Sequence, residues 1–141
     1  MKKSYQYVSI KKQTENDFHY ADWNNMNKNY KKVLLIDLDG VLNNYNGKFD
    51  ANFIPDIKNG AYEFLQKLSK DYEVKIFTTR NRLLAVKWLI KNKIDCFVSD
   101  ITNIKDAAYL HIDDRAICFE GDYEKTFNEI KEFKVYWKKN T

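Results

Sequence analysis

Val33-Leu34-Leu35-Ile36 is an unbroken apolar run that stops at Asp37-Leu38-Asp39-Gly40. Apolar residues in succession, without polar alternation, describe a strand buried on both faces, as in parallel sheets rather than half-solvated antiparallel ones. Parallel neighbours require crossover connections, usually helical, so the run predicts a central strand in an α/β chain.

The remaining pattern supplies those neighbours. Residues 43–52 contain Asn46-Gly47 between Tyr45 and Phe49, which predicts a small β-hairpin flap. Pro55-Asp56 opens a predicted helix whose Ile57, Ala61, Phe64, Leu65 and Leu68 make one apolar stripe. Residues 74–79 read as a second strand. Residues 82 to about 93 read as a second helix carrying Leu83, Val86, Leu89 and Ile90. Residues 96–98, 109–112 and 116–119 read as short strands, and Asp122 caps a last helix bearing Tyr123, Phe127, Ile130 and Phe133. Alternation of strand and helix predicts a three-layer, Rossmann-like α/β sandwich around a central parallel sheet. It occupies residues 32–141. Residues 1–31 are polar and rich in Asn and Lys, with only residues 5–10 alternating like a strand, and form an N-terminal arm. With 1 Pro and 4 Gly, the chain contains no linker that would mark a second domain.

Composition narrows the function classes. The net charge is +4, but 20 acidic residues are interspersed among 24 basic ones, so no basic stripe emerges and nucleic acid is compatible but not indicated. No run of 18 uncharged apolar residues occurs and the first residues lack the apolar core of a signal peptide, so no membrane partner and a cytoplasmic location are expected. Cys96 and Cys118 have no second thiol or His at ligand spacing, and His19 and His111 read as structural.

The bland reading of the acids is a strand that ends in turn-forming Asp and Gly, or an aspartate pair that caps a helix. Asp37 and Asp39 fall at the C-terminal end of the first strand, where open parallel sheets bind ligands. A calcium loop fails, because counting from Asp37 its glycine position holds Leu42 and its bidentate position Lys48. Phe77-Thr78-Thr79-Arg80 ends the second strand and Ile112-Asp113-Asp114 the fourth, with Lys105 between them. Nucleophile, hydroxyl, cation and paired acids in this order supply the groups that phosphoryl transfer through an aspartate requires.

Asp37-Leu38-Asp39-Gly40-Val41-Leu42 resembles the first motif of the haloacid-dehalogenase superfamily, Thr78 after Ile76-Phe77 the second, Lys105 the third, and Ile112-Asp113-Asp114 the fourth. The likeness covers residues 33 to about 133. The third motif departs from the pattern, with Asp106 where proline often follows the lysine, and Lys91 and Lys93 are alternatives to Lys105. The resemblance implies a Mg²⁺-dependent phosphomonoester hydrolase. A carboxylate cannot approach a phosphate dianion without a neutralising cation, and Mg²⁺ suits an all-oxygen site. Asp37 and Asp113 would hold it by carboxylate and Asp39 by its backbone carbonyl, with Asp114 acting directly, through water, or from the next layer. Asp37 would attack phosphorus, Asp39 would protonate the leaving oxygen and later activate water, Thr78 would bind a phosphoryl oxygen, and Lys105 would offset charge. Thr79 and Arg80 complete the expected substrate contacts. The intervals between motifs leave no room for a cap domain. Two alternatives stand beside this reading: a phosphatase acting on nucleic-acid ends or phosphoproteins, and a non-catalytic phosphate-binding or interaction module.

Overall fold

The structure is a computed structural model, and residues 30–138 are described. The strand expected at residues 5–10 lies outside the described residues, with the arm up to residue 29.

The apolar run forms β1 (Lys32–Asp37), with Val33, Leu34, Leu35 and Ile36 all buried. Beside it stand β2 (Tyr72–Phe77), β3 (Asp100–Thr102) and β4 (Leu110–Ile112). They form a four-stranded sheet of order β3-β2-β1-β4, parallel at every pair. Strand β1 is thus an inner strand, as expected. Register sets Asp37 opposite Phe77 and Ile36 opposite Ile112, so Leu38, Thr78 and Asp113 leave their strands along one edge. The chain steps outward from β1 to β2 to β3 and then returns to the far side of β1. That reversal makes the C-terminal edge beside β1 a switch point, where such sheets open a crevice.

Leu34, Ile36 and Leu38 share one core with Val74 and Ile76 of β2, with Ala61 and Leu65 of α1 (Ala61–Asp71), and with Ala85, Trp88 and Leu89 of α2 (Arg82–Lys91). Helix α1 packs on β2 and α2 on β3. The Asn81 side chain caps α2 by accepting from the Leu84 amide at 3.1 Å. The stripe expected on α2 was partly wrong: Leu83 and Ile90 are exposed, while Ala85 and Trp88 face the core. The segment is apolar on nearly every side, so periodicity alone does not choose its buried face.

Four other expectations need correction. The hairpin over residues 43–52 does not form. Asn43 bridges Ile57 instead, with Asn44 N donating to Asp56 O at 2.9 Å and Lys58 N to Leu42 O at 2.8 Å. The same bonds take residues 56–58 out of the predicted helix, which begins only after Gly60, held at φ 85. Residues 95–97 form a 3₁₀ turn (Asp95–Phe97), and the third strand starts at Asp100. Residues 116–119 form no strand, which leaves β4 at the edge of the described sheet. The last helix, α3 (Tyr123–Glu132), appears where expected, with Asp122 accepting from the Lys125 amide at 3.0 Å. A 3₁₀ turn, Tyr136–Lys138, follows it.

Candidate active site

Asp37 is the last residue of β1, and Asp113 and Asp114 follow β4 directly, so parallel register alone brings three acids to one edge. One carboxylate oxygen of each lies within 4.8 Å of the others. The arrangement is electrostatically unfavourable as it stands. Burial, then the charge of Asp113, pushes the Asp37 carboxyl up to about 7; the Leu38 amide opposes this, and Asp114 and Asp39 add to it.

The turn after β1 is built around Asn43, which is fully buried. Its Oδ1 accepts from the amides of Gly40 and Tyr45, both at 3.1 Å, and its Nδ2 donates to Asp39 Oδ1 at 2.8 Å. Gly40 sits at φ 83, a left-handed conformation that glycine adopts without strain. Arg80 Nε donates to Asp39 Oδ2 at 2.7 Å, so both oxygens of Asp39 are gripped and its orientation is fixed.

Asp113 accepts from the Arg115 amide at 2.7 Å, closing a tight turn that directs its carboxylate. Asp114 Oδ2 accepts from the indole N–H of Trp137, while its Oδ1 is buried with no hydrogen-bond partner. Thr78 is buried; its hydroxyl oxygen accepts from the Arg80 amide at 3.2 Å, and its own amide donates to Thr102 O. The hydroxyl proton is free to point elsewhere.

These groups meet in an open cleft of about 290 Å³, lined by Asp37, Asp39, Thr78, Thr79, Asp113 and Arg115, with Tyr45, Phe49 and Phe77 as aromatic walls. Two expected participants are elsewhere. Lys105 is exposed in the loop between β3 and β4 and does not line the cleft. Lys91 and Lys93 do not replace it, because α2 starts at the C-terminal edge of β2 and carries them to the opposite end of the sheet. Arg80 is nearby but lies behind Asp39 rather than open to substrate. Its Nη1 donates to Asp50 O at 2.6 Å and Phe53 O at 2.9 Å, and its side chain is only 1% exposed. Arg115 is the cation that faces the cleft.

The donor set suits a hard cation. Asp37, Asp113 and Asp114 offer only oxygen, and the partnerless Asp114 Oδ1 is the sort of buried atom that a ligand satisfies. Each Asp39 oxygen accepts one hydrogen bond, from Asn43 or Arg80, and the carboxylate stands outside the cluster of Asp37, Asp113 and Asp114, so its backbone carbonyl is the ligand it would offer.

Sequence reasoning missed Asn43, Tyr136 and Trp137. Asn43 carried a readable signal, since an Asn shortly after a Gly turn commonly bonds local backbone. The two C-terminal aromatics carried none, as they lie in a lysine-rich terminal stretch past the last helix.

No family model matches the chain, and no curated relative does. The solved structure of a conserved protein from Bacteroides thetaiotaomicron is similar, at TM-score 0.50 and 20% identity, over 76% of this chain and 95% of that one. That likeness is one of fold.

Proposed function

We propose that the chain is a phosphomonoester hydrolase of haloacid-dehalogenase type, dependent on Mg²⁺ and working through a phosphorylated Asp37. The observation that carries this is the meeting of Asp37, Asp113 and Asp114 at one sheet edge, with Asp39 held two positions beyond Asp37. In this reading the domain is a three-layer sandwich without a cap. Residues 43–60 hold only a tied loop, and residues 81–99 only α2 and a 3₁₀ turn.

Bound Mg²⁺ would supply positive charge that lets anionic Asp37 and an anionic phosphoryl group share the cleft. Asp37, at the end of a strand buried in the core, is held rigidly enough for in-line attack on phosphorus. The attack forms an acyl phosphate and breaks the bond to the leaving oxygen. Asp39 donates a proton to that oxygen, then takes one from the water that releases phosphate. Its two hydrogen bonds leave each oxygen a further lone pair to carry that proton. The Thr78 hydroxyl and the Arg115 guanidinium hold phosphoryl oxygens.

The exposed rim favours one variant of the reading, in which the phosphate sits at the end of a larger molecule. Phe49 is 60% exposed beside the cleft, and Arg115 is exposed too. The deciding experiment is phosphate release from sugar phosphates, nucleotides, phosphopeptides and end-phosphorylated oligonucleotides, with Mg²⁺ and with EDTA. No Mg²⁺-dependent release from any of them would overturn the assignment.

A further inference from the structure

The 3₁₀ turn Tyr136–Lys138 lies against the turn that follows β1, more than ninety positions away in sequence. The Tyr136 hydroxyl donates to Gly40 O across 96 positions, and Lys58 Nζ sits 5.0 Å from the centre of the Tyr136 ring. Trp137 packs edge to face on Tyr45 at 5.6 Å, with the Arg115 guanidinium 5.4 Å from its ring centre. Val135, just before the turn, is buried. The end of the described chain is therefore part of the wall behind the acids.

One contact in this wall is chemically specific. The indole N–H of Trp137 reaches Asp114 Oδ2 through the space that Gly40 leaves open. A Cβ on Gly40 would overlap Asp114 Oδ2 and come within 2.9 Å of Trp137 Nε1. An indole can donate but not accept, so it holds one carboxylate oxygen without competing for a cation. The other oxygen, Oδ1, is left buried and partnerless, in a carboxyl group that clusters with those of Asp37 and Asp113. A buried acceptor without a partner is costly to maintain, and a cation, or water bound to one, would satisfy it.

We propose that Trp137 is the positioning residue of the cation site: its indole N–H fixes Asp114 so that Oδ1 is presented towards an ion held with Asp37 and Asp113. This rests on the Mg²⁺-dependent reading above. Partners of this kind, which orient a ligand from behind, typically change metal affinity about 10–100-fold when removed.

The test is calorimetric titration of the full-length protein with Mg²⁺ alone. Trp137→Phe keeps the ring and loses the N–H, and it should weaken Mg²⁺ binding by about tenfold or more. In an Asp114→Ala background the same substitution should cost nothing further, because its effect passes through Asp114. Wild-type affinity in Trp137→Phe, or an equal loss with and without Asp114, would overturn the proposal. Should the variant not fold, the intact protein decides. Of the three indole N–H resonances, that of Trp137 should move with Mg²⁺ while that of Trp88, bonded to Pro55 O at 2.8 Å, stays in place. A stationary Trp137 resonance in a Mg²⁺-saturated protein would overturn the proposal as well. Absence of any Mg²⁺ binding by the unaltered protein would instead strike at the phosphohydrolase reading, and the positioning role would fall with it.

Discussion

Arg80 and Asp39 are 41 positions apart and form an ion pair of 2.7 Å, with the arginine side chain 1% exposed and the aspartate 20%. The pair joins the end of β2 to the turn after β1, and through Asp50 O and Phe53 O it also holds the loop over the cleft. Removing the arginine leaves a largely desolvated carboxylate and two unpaired carbonyls. Arg80→Ala should therefore cost stability near the lower end of the roughly 3–5 kcal/mol seen for broken buried pairs, since Asp39 keeps some contact with water. Thermal melts of the metal-free protein check this; a loss below about 1 kcal/mol would mean the pair behaves as a surface bridge.

The two acids of the first motif should separate kinetically. In the proposed mechanism Asp37→Asn removes the nucleophile, and turnover should fall by about 10⁴-fold or more. Asp39→Asn keeps the backbone carbonyl but loses proton transfer and sets an NH₂ against one of the two donors, Asn43 or Arg80, so for the variant that remains folded a decrease of roughly 10²–10⁴ is expected, smallest on aryl phosphates with good leaving groups. With such a substrate, phosphorylated Asp37 should accumulate in Asp39→Asn and be found by mass spectrometry after acid quench. Equal losses on aryl and alkyl phosphates with no adduct would reverse the assignments.

Metal-free protein should lose stability as pH rises. The Asp37 carboxyl lies at about 7 when folded, above the ordinary 3.8, so the folded state holds this proton more tightly than the unfolded one. The advantage is complete below about pH 4 and disappears as pH passes through about 7. Urea melts in EDTA should show this decline, and saturating Mg²⁺ or Asp37→Asn should flatten it. A metal-free profile unaffected by Asp37→Asn would place the proton elsewhere.

Lys105 and Arg115 offer a second contrast. Lys105→Ala removes an exposed side chain that does not line the cleft, and kcat/KM should stay within about twofold. Arg115→Ala removes the cation that faces the cleft and should raise KM by about tenfold or more, in line with a charge-assisted bond worth about 1.5–3 kcal/mol. The opposite ranking would restore Lys105 to the phosphate.

What the sequence revealed, and what it concealed, divides along physical lines. Val33-Leu34-Leu35-Ile36 announced a central strand because burial on both faces leaves no polar alternation, and the strands' parallel register then carried Asp37, Thr78 and Asp113 to one edge without further information. Asn46-Gly47 misled because turn propensity is local, whereas the pairing of Asn43 with Ile57 is decided by backbone hydrogen bonds across the intervening loop. Arg80, expected at the substrate, is tied to Asp39 instead, because a guanidinium serves an internal carboxylate as readily as a phosphate. The contact of Trp137 with Asp114 depends on the absence of a side chain at Gly40, a three-body relation that no spacing rule encodes.

Strand β4 spans only Leu110–Ile112 and pairs with β1 alone among the described strands, yet two of the three clustered acids hang from its end. Short edge strands open readily in local unfolding, and above about pH 7, where Asp37 is ionised, mutual repulsion of the carboxylates adds a force that pulls the strand away from β1. A divalent ion that bridges Asp37 to Asp113 would therefore act as a rivet as well as a reagent. Assembly of the site and closure of the sheet edge would then be one cooperative event, and amide hydrogen exchange at β4 should slow when Mg²⁺ is added.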